Sequence, residues 1–239
     1  MAVTILDLLQ NGTISPEMAA TFWAIAEERK SFLVVAIPRL AGKTTVSNAI
    51  LDMLSPDVPV HRLSGDEAEM RLLQQKPDGG YLVVAEVSQG PVPGYIWGRP
   101  VRTAFETARA GFSFTTSMHA ASPEETFGML HHDNGISDED LSRLAFMVYI
   151  ERFGDRVDNL WRRVDNVYEI SAVRNGRPDT RVLHTWVPET DTFTVVQPAQ
   201  SLAATPDGLQ RRAAYLQDLA RTGQTSVQSL RQAIAAFTG

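Results

Sequence analysis

Buried-strand and helix patterns alternate over the first 150 residues and predict an α/β fold. Phe32 to Ile37 and Tyr81 to Glu86 are almost continuously apolar, which is typical of parallel strands covered on both faces. Phe112 to Ala120 is a further strand, with alternating and β-branched residues. After the first run, apolar residues recur at helical spacing from Val46 to Leu54. We therefore expect a mostly parallel sheet with helices packed on it.

The pattern changes beyond residue 150. Three strand-like segments, separated by turn residues, lie at 164–173, 181–187 and 192–196. They predict a small antiparallel β meander, and C-terminal helices follow it. Helices also precede the first strand, since Ser15-Pro16-Glu17 is a typical helix start. The predicted parts are a helical lead-in, an α/β core, and a meander with helices packed on the core, at 1–30, 31–150 and 151–239.

The loop between the first strand and its helix has the residues of a phosphate-binding site. Ala41-Gly42-Lys43-Thr44-Thr45 matches the second half of a P-loop, G-x-x-x-x-G-K-[ST]. Backbone N–H groups at a helix start attract an anion, and the helix dipole adds to this attraction. Gly42 permits close approach, Lys43 would reach the β- and γ-phosphates, and the Thr44 hydroxyl would bind Mg²⁺. Ile37 replaces the first glycine of the motif, so we expect a misshapen loop.

Acidic and imidazole groups are predicted at the carboxyl ends of the neighbouring strands. Ser64 to Met70 contains Asp66 and Glu69 directly after a short strand, where a doubly wound sheet places its site. A solvated loop whose acids cap a helix is an equally good interpretation. Glu86 ends its strand as a Walker B carboxylate would, where it can orient an attacking water. His119 ends the next strand. The alternative interpretation is that the histidine and the glutamate at these strand ends have only a structural role.

A segment rich in glycine and proline, Ser88 to Pro100, follows the Glu86 strand. Such a composition predicts a surface loop. Tyr95, Ile96 and Trp97 lie within it and are expected to form an exposed contact.

Composition excludes several classes of protein. The net charge of −6 argues against a protein that coats nucleic acid, so we expect no direct nucleic-acid partner. The absence of cysteine excludes disulfides and thiolate metal sites and suits a reducing compartment. No apolar run approaches the roughly 20 residues that span a bilayer, and Met1 to Gln10 does not resemble a signal peptide. We expect a cytoplasmic protein that is at most peripheral at the inner face of the cell membrane.

The order of these motifs resembles that of the secretion-superfamily ATPases, which drive type II and type IV secretion, type IV pili and the archaeal flagellum. The motifs that carry the likeness are Gly-Lys-Thr-Thr at 42–45, the acidic segment at 64–70, called here the acidic box, the strand ending in Glu86, and Ala-Gly-Phe-Ser-Phe-Thr-Thr-Ser-Met-His-Ala at 110–120. The likeness continues through 162–170, 186–193 and 211–220, so it covers essentially the whole chain. The archaeal-type branch is the most similar.

This resemblance implies a RecA-like P-loop NTPase core that hydrolyses ATP with Mg²⁺. It also implies a homo-oligomeric ring, usually a hexamer, that moves a membrane-associated secretion or pilus machine through an integral-membrane platform protein. The implied phosphate-site residues are Ala41, Gly42, Lys43, Thr44 and Thr45, with Thr44 as the Mg²⁺ ligand. The implied catalytic residues are Glu86, His119, Asp66 and Glu69.

Departures from the family pattern predict a weak ATPase. The residues that differ from the family motifs are Ile37, Gly65, Ala85 and Ser88. The family's large N-terminal domain and its arginine-bearing strands before the Walker B element are not recognised in this sequence. Losing an arginine clamp lowers the rate of phosphoryl transfer by about 10³ to 10⁵. Arg102 or Arg109 of a neighbouring copy could replace it.

Two alternatives to an active motor stay open. The chain could be a catalytically degenerate, nucleotide-binding regulatory subunit, or an interaction protein that retains only the fold. Binding of ATP distinguishes the interaction protein from the other two, and turnover distinguishes the ATPase from the regulatory subunit.

Overall fold

The computed structural model of the chain describes residues 2–223 and 226–237. The helices are α1 (Ile5–Gln10), α2 (Pro16–Glu27), α3 (Lys43–Leu51), α4 (Glu67–Gln75), α5 (Arg99–Ala108), α6 (Pro123–Gly128), α7 (Asp138–Leu141), α8 (Pro206–Arg221) and α9 (Val227–Ala236). The strands are β1 (Ser31–Val35), β2 (Val60–Leu63), β3 (Tyr81–Val84), β4 (Glu86–Val87), β5 (Tyr95–Ile96), β6 (Ser113–Met118), β7 (Leu144–Phe153), β8 (Trp161–Arg174), β9 (Arg177–Val187) and β10 (Thr192–Val195). One turn of π-helix, Met129–Asp133, follows α6, and a 3₁₀ turn, Val157–Asn159, connects β7 to β8.

An eight-stranded sheet, in the order β2-β3-β6-β1-β7-β8-β9-β10, organises the fold. The strands from β2 to β7 in this order pair in parallel, and those from β7 to β10 pair antiparallel. The predicted α/β fold with a mostly parallel sheet and an antiparallel meander is confirmed. Because β1, β6 and β3 are parallel neighbours, their carboxyl ends lie at one edge, where the segments carrying Lys43, His119 and Glu86 begin.

Helices cover both faces of the sheet, which explains the unbroken apolar run in β1. Phe32 and Val34 pack into a core cluster that also contains residues of α1, α2, α3 and α8. Leu33 and Val35 point to the opposite face and pack with residues of α4, α5 and α6. Successive side chains of a strand face opposite sides, so a strand buried on both faces needs apolar residues throughout.

The antiparallel strands extend the main sheet. β7 pairs in parallel with β1 on one side and antiparallel with β8 on the other. The predicted boundary between residues 150 and 151 falls inside β7, so that division does not correspond to a break in the sheet. The outer limits of the predicted parts, residues 1 and 239, lie outside the described residues.

The segment after β3 departs from the expected surface loop. The strand predicted for Tyr81 to Glu86 ends at Val84, and Glu86 begins β4, which pairs in parallel with β5. Gly94, at φ +80°, turns the chain back towards Ala85. Ile96 is buried, so the prediction of an exposed contact there is wrong. The pairing of β4 with β5 supplies backbone hydrogen bonds that turn composition does not reveal.

Within the described ranges, no helix combines the length and apolar character that crossing a bilayer requires.

A buried histidine ties β9 to α2 and makes stability depend on pH. His184 Nε2 lies 2.8 Å from Thr21 Oγ1, which in turn donates to the Glu17 carbonyl at 3.0 Å. The imidazole therefore donates to Thr21 as the Nε2–H tautomer. Burial lowers the pKa of His184 to about 4 from its ordinary value of 6.5.

Acidification is expected to destabilise the protein through His184. Between pH 6.5 and 4 the unfolded state binds a proton that the folded state excludes, so stability falls as pH falls, by about 3 kcal/mol in all. Urea unfolding at pH 7 and pH 4.5 should show that His184→Gln loses less stability on acidification than the wild type. His132→Gln, at an exposed position, is the control and should keep the wild-type acid sensitivity. Equal acid losses in wild type and His184→Gln would contradict this assignment.

Candidate functional site

A cavity of about 870 Å³ opens at the carboxyl edge of β1 and β6. All five predicted phosphate-site residues, from Ala41 to Thr45, line it, as do the predicted catalytic residues Glu86 and His119. The other lining residues come from the N-terminal segment, the P-loop and α3, the segment from β4 to β5, and the start of β8 with the residue before it: Val3, Leu8, Asn11, Thr13, Arg39, Leu40, Val46, Ser88, Gln89, Gly90, Pro91, Val92, Tyr95, Leu160, Trp161 and Arg162.

The P-loop enters α3 through two residues with left-handed backbone. Gly42, the N-cap of α3, has φ +93°, a conformation that favours glycine. No side chain caps α3 at Gly42, so its first N–H groups have no side-chain acceptor at the cap. Leu40 has φ +60°, whereas Ile37 is not among the described non-glycine residues with positive φ. Leu40 therefore adopts the left-handed conformation in this loop, and Ile37, which replaces the first glycine of the motif, does not.

Lys43 is held between two of the four predicted catalytic side chains, Glu86 and His119. Its Nζ lies 3.2 Å from Glu86 Oε2 and 2.7 Å from His119 Nε2. The Lys43 and Glu86 side chains are only 8% and 7% exposed. Burial lowers the pKa of Lys43, and the neighbouring Glu86 carboxylate opposes this shift. The three segments that follow β1, β3 and β6 thus meet at one ammonium group.

His119 also fixes the start of the P-loop. Its Nδ1 lies 2.9 Å from the Ile37 carbonyl oxygen and 3.1 Å from that of Ala36. Two acceptors at Nδ1 place the imidazole hydrogen there, which leaves Nε2 to accept from Lys43. His119 is therefore a bridge between the loop backbone and the P-loop lysine.

The charges that line the cavity favour an anion. Lys43, Arg39 and Arg162 are the cations of the lining, and Glu86 is its carboxylate. Arg162 was missed by the sequence analysis; its Nε and Nη2 donate to the Leu40 carbonyl at 3.0 and 2.8 Å. Residues 40 and 162 are 122 positions apart, so no local pattern signals their contact.

Tyr95 is a second lining residue that sequence reasoning did not assign to the site. It was expected at the surface, but β5 places it in the cavity wall. Burial raises the pKa of its hydroxyl, and the Glu86 carboxylate adds to the effect. Its neutral phenol can therefore donate near Glu86.

The acidic box does not reach the cavity. Asp66 caps α4 by accepting the Ala68 N–H at 2.8 Å, and Glu69 Oε2 accepts the Ser64 hydroxyl at 2.8 Å. Neither carboxylate lines the cavity. The helix-capping interpretation accounts for Asp66, and Glu69 ties down the loop before α4. Their catalytic role stays a prediction that this placement does not support.

Arg102 and Arg109, which could replace the family's arginine clamp in a neighbouring copy, already make contacts within their own chain. Arg109 forms a bidentate ion pair with Asp140, with its Nε 2.6 Å from Oδ1. Arg102 Nη1 donates to the Asn134 carbonyl at 3.0 Å. Either would have to break these contacts to act on another chain.

The residues present fit Mg²⁺ bound mainly through phosphates. Thr44 is exposed and its hydroxyl makes no hydrogen bond to the described residues, so it is available as a ligand. Among the described residues no group of three or more His, Cys, Asp or Glu side chains could hold a metal ion alone. Mg²⁺ is usually bound by few protein ligands together with substrate phosphates and water.

Comparisons with known proteins find a distant relative and several solved structures that match parts of the chain. No family model matches the chain. An uncharacterized protein of Methanocaldococcus jannaschii is 29% identical over 223 residues, which cover 78% of this chain and 76% of that protein.

Three solved structures match parts of the chain, with TM-scores below 0.5. The VirB11 ATPase from the Brucella suis type IV secretion system, in complex with sulphate, has 16% identity and a TM-score of 0.46, covering 69% of this chain and 54% of that one. The ATPase DotB of Legionella pneumophila has 12% identity and a TM-score of 0.38, covering 87% and 56%. The N-terminal domain of zonular occludens toxin from Neisseria meningitidis has 9% identity and a TM-score of 0.32, covering 64% and 93%. The chain thus spans about half the length of the two ATPases.

Proposed function

We propose that this chain binds ATP with Mg²⁺ in the cavity around Lys43 and hydrolyses it slowly. One observation carries the proposal: at the uncapped start of α3, Lys43 meets both Glu86 and His119 within hydrogen-bonding distance. The segments that follow three strands of the sheet therefore converge on the lysine that a P-loop uses to bind phosphate.

Phosphate binding follows from the charges and the loop. The N–H groups at the start of α3 and the side chains of Lys43 and Arg39 would surround the triphosphate in a partly enclosed cavity. Thr44 would hold Mg²⁺, which supplies neutralisation of charge on the β- and γ-phosphates when bound. Binding would draw the Lys43 ammonium towards phosphate, and Glu86 would become free to act on water.

Glu86 is the proposed residue for orienting the attacking water and accepting its proton. His119 positions Lys43 and the loop: its Nδ1–H faces two carbonyl groups, and its Nε2 lone pair, the basic site of the ring, accepts from Lys43. The engagement of Arg102 and Arg109 within the chain supports slow turnover, because neither is poised to stabilise transition-state charge.

The wider role that we propose is that of a reduced motor ATPase of the secretion and pilus type, nearest to the archaeal branch. It would work as a homo-oligomeric, hexameric ring in the cytoplasm, peripheral to the membrane, against an integral-membrane platform. These finer statements rest on the motif resemblance.

A nucleotide-binding regulatory subunit is the second candidate. The ion pair of Lys43 with Glu86 favours it, because this contact occupies both the phosphate-binding and the proposed water-orienting group. An interaction protein that binds no nucleotide is the third candidate. A measurement of ATP binding distinguishes it from the other two.

Thermal unfolding with and without MgATP tests the proposal. Nucleotide at about 100 times its Kd should stabilise the wild type by roughly 2.7 kcal/mol, which raises Tm by about 5 °C or more. Lys43→Ala should lose this shift because it removes the buried ammonium. Lys76→Ala, an exposed lysine outside the cavity, is the control and should keep it. No shift in the wild type, or an equal shift in Lys43→Ala, would contradict nucleotide binding at this site.

A further inference from the structure

The P-loop of this chain contains a residue whose backbone conformation needs support from outside the loop. Leu40 has φ +60°, a left-handed conformation that L-residues with bulky side chains rarely adopt. Its side chain is 64% exposed, so burial of the leucine does not offset the strain. Other contacts must therefore hold Leu40 in place.

Arg162 makes those contacts. Two of its donors, Nε and Nη2, bind the Leu40 carbonyl oxygen at 3.0 and 2.8 Å. Its side chain also lies against Gly42, since a Cβ placed on that glycine would be 3.0 Å from Arg162 Cδ. One arginine thus contacts both left-handed residues of the loop. It is anchored at the start of β8, a long strand of the main sheet, which gives the contact a rigid base.

The two ends of the loop are fixed by different side chains. His119 binds the carbonyl groups of Ala36 and Ile37 at the start, and Arg162 binds that of Leu40 at the end. The bonds from the charged Arg162 guanidinium are charge-assisted, and hydrogen bonds of that kind are among the stronger ones in proteins. One side chain directly after β6 and one at the start of β8 therefore restrain a loop that lacks the first glycine of its motif.

We infer that Arg162 is a positioning residue that holds Leu40 in its left-handed conformation and keeps the P-loop in its phosphate-binding shape. The consequence for nucleotide affinity rests on the proposed function, whereas the restraint on the loop does not. Without Arg162 the loop would occupy its competent shape for only a fraction of the time, and the apparent affinity would fall by that fraction.

Hydrogen exchange tests the restraint without nucleotide. In Arg162→Gln, the Val46 amide, which donates to the Gly42 carbonyl of the loop at 3.0 Å, should exchange about tenfold faster than in the wild type, the factor expected when left-handed strain is no longer opposed. Arg156→Gln is the matched control, because Arg156 is exposed, outside the cavity lining, and paired only with Asp158 in the described structure. It should leave exchange of the Val46 amide unchanged. Unchanged exchange of this amide in Arg162→Gln would overturn the inference.

A double-mutant cycle with Leu40→Gly tests the mechanism, because glycine adopts φ +60° without strain. Arg162→Gln should weaken MgATP binding about tenfold in the wild-type background, but less than about threefold in the Leu40→Gly background. A cost that is equal in both backgrounds would indicate direct contact of Arg162 with phosphate and would overturn the positioning role. If the wild type binds no MgATP, the proposed function fails, and the exchange experiment still decides the restraint.

Discussion

Replacing Glu86 with Gln is expected to lower ATP turnover by about 10² to 10⁴ while MgATP still binds. Glutamine keeps an oxygen that can accept from Lys43 Nζ, now 3.2 Å from Glu86 Oε2, but it cannot accept a proton from water. Loss of a positioned general base typically costs this factor in rate. The Glu86→Gln variant therefore separates an effect on the rate of hydrolysis from an effect on MgATP binding.

Steady-state phosphate release and the MgATP-induced Tm shift measure the two effects of Glu86→Gln. Glu106→Gln, an exposed change of the same type on α5, is the control and should behave as the wild type in both assays. Unchanged turnover in Glu86→Gln would remove Glu86 from the mechanism. Wild-type protein that binds MgATP but releases no phosphate would favour the regulatory subunit.

Replacing Glu169 with Ala should destabilise the fold by about 3 to 5 kcal/mol. Glu169 is 2% exposed, and its Oε1 accepts the N–H groups of Gln200 and Ser201 at 2.9 and 2.6 Å. Its Oε2 pairs with Arg181 Nη1 at 3.2 Å. Removing Glu169 takes the carboxylate from the partly exposed Arg181, and two backbone donors also lose their buried acceptor.

Urea unfolding measures this loss. Asp179→Ala is the control, because its ion pair with Arg174 is exposed and should contribute at most about 1 kcal/mol. A loss for Glu169→Ala no larger than that of Asp179→Ala would show that Glu169 does not hold the segment between β10 and α8. The expected result would assign Glu169, which lies in a segment of the family resemblance, a structural role.

Much of the fold follows from the sequence because its signals are local. The apolar run before the P-loop predicts β1, since a strand covered on both faces has no polar side. The turn residues beyond position 150 predict the antiparallel strands. The parallel pair of β4 and β5 was missed because it joins two-residue strands across a loop of Gly and Pro.

The residues of the site also divide into those that the sequence predicts correctly and those that it does not. Lys43, Glu86 and His119 could be named from the sequence because each ends or follows a recognisable strand, and parallel neighbours bring such ends together. Asp66 and Glu69 satisfy the same rule, yet Asp66 caps α4, Glu69 binds Ser64, and both stay outside the cavity. A strand-end position does not show which way the chain turns next.

The sequence by itself determined the strands, the helix starts and the phosphate-binding half-motif, because periodicity and turn chemistry act over a few residues. Only the tertiary structure decided that Arg162 restrains Leu40, that Tyr95 joins the cavity wall, and that His119 bridges the loop to Lys43. The physical reason is distance along the chain: these contacts join residues brought together by strand order, and a hydrogen bond across 122 positions leaves no local pattern.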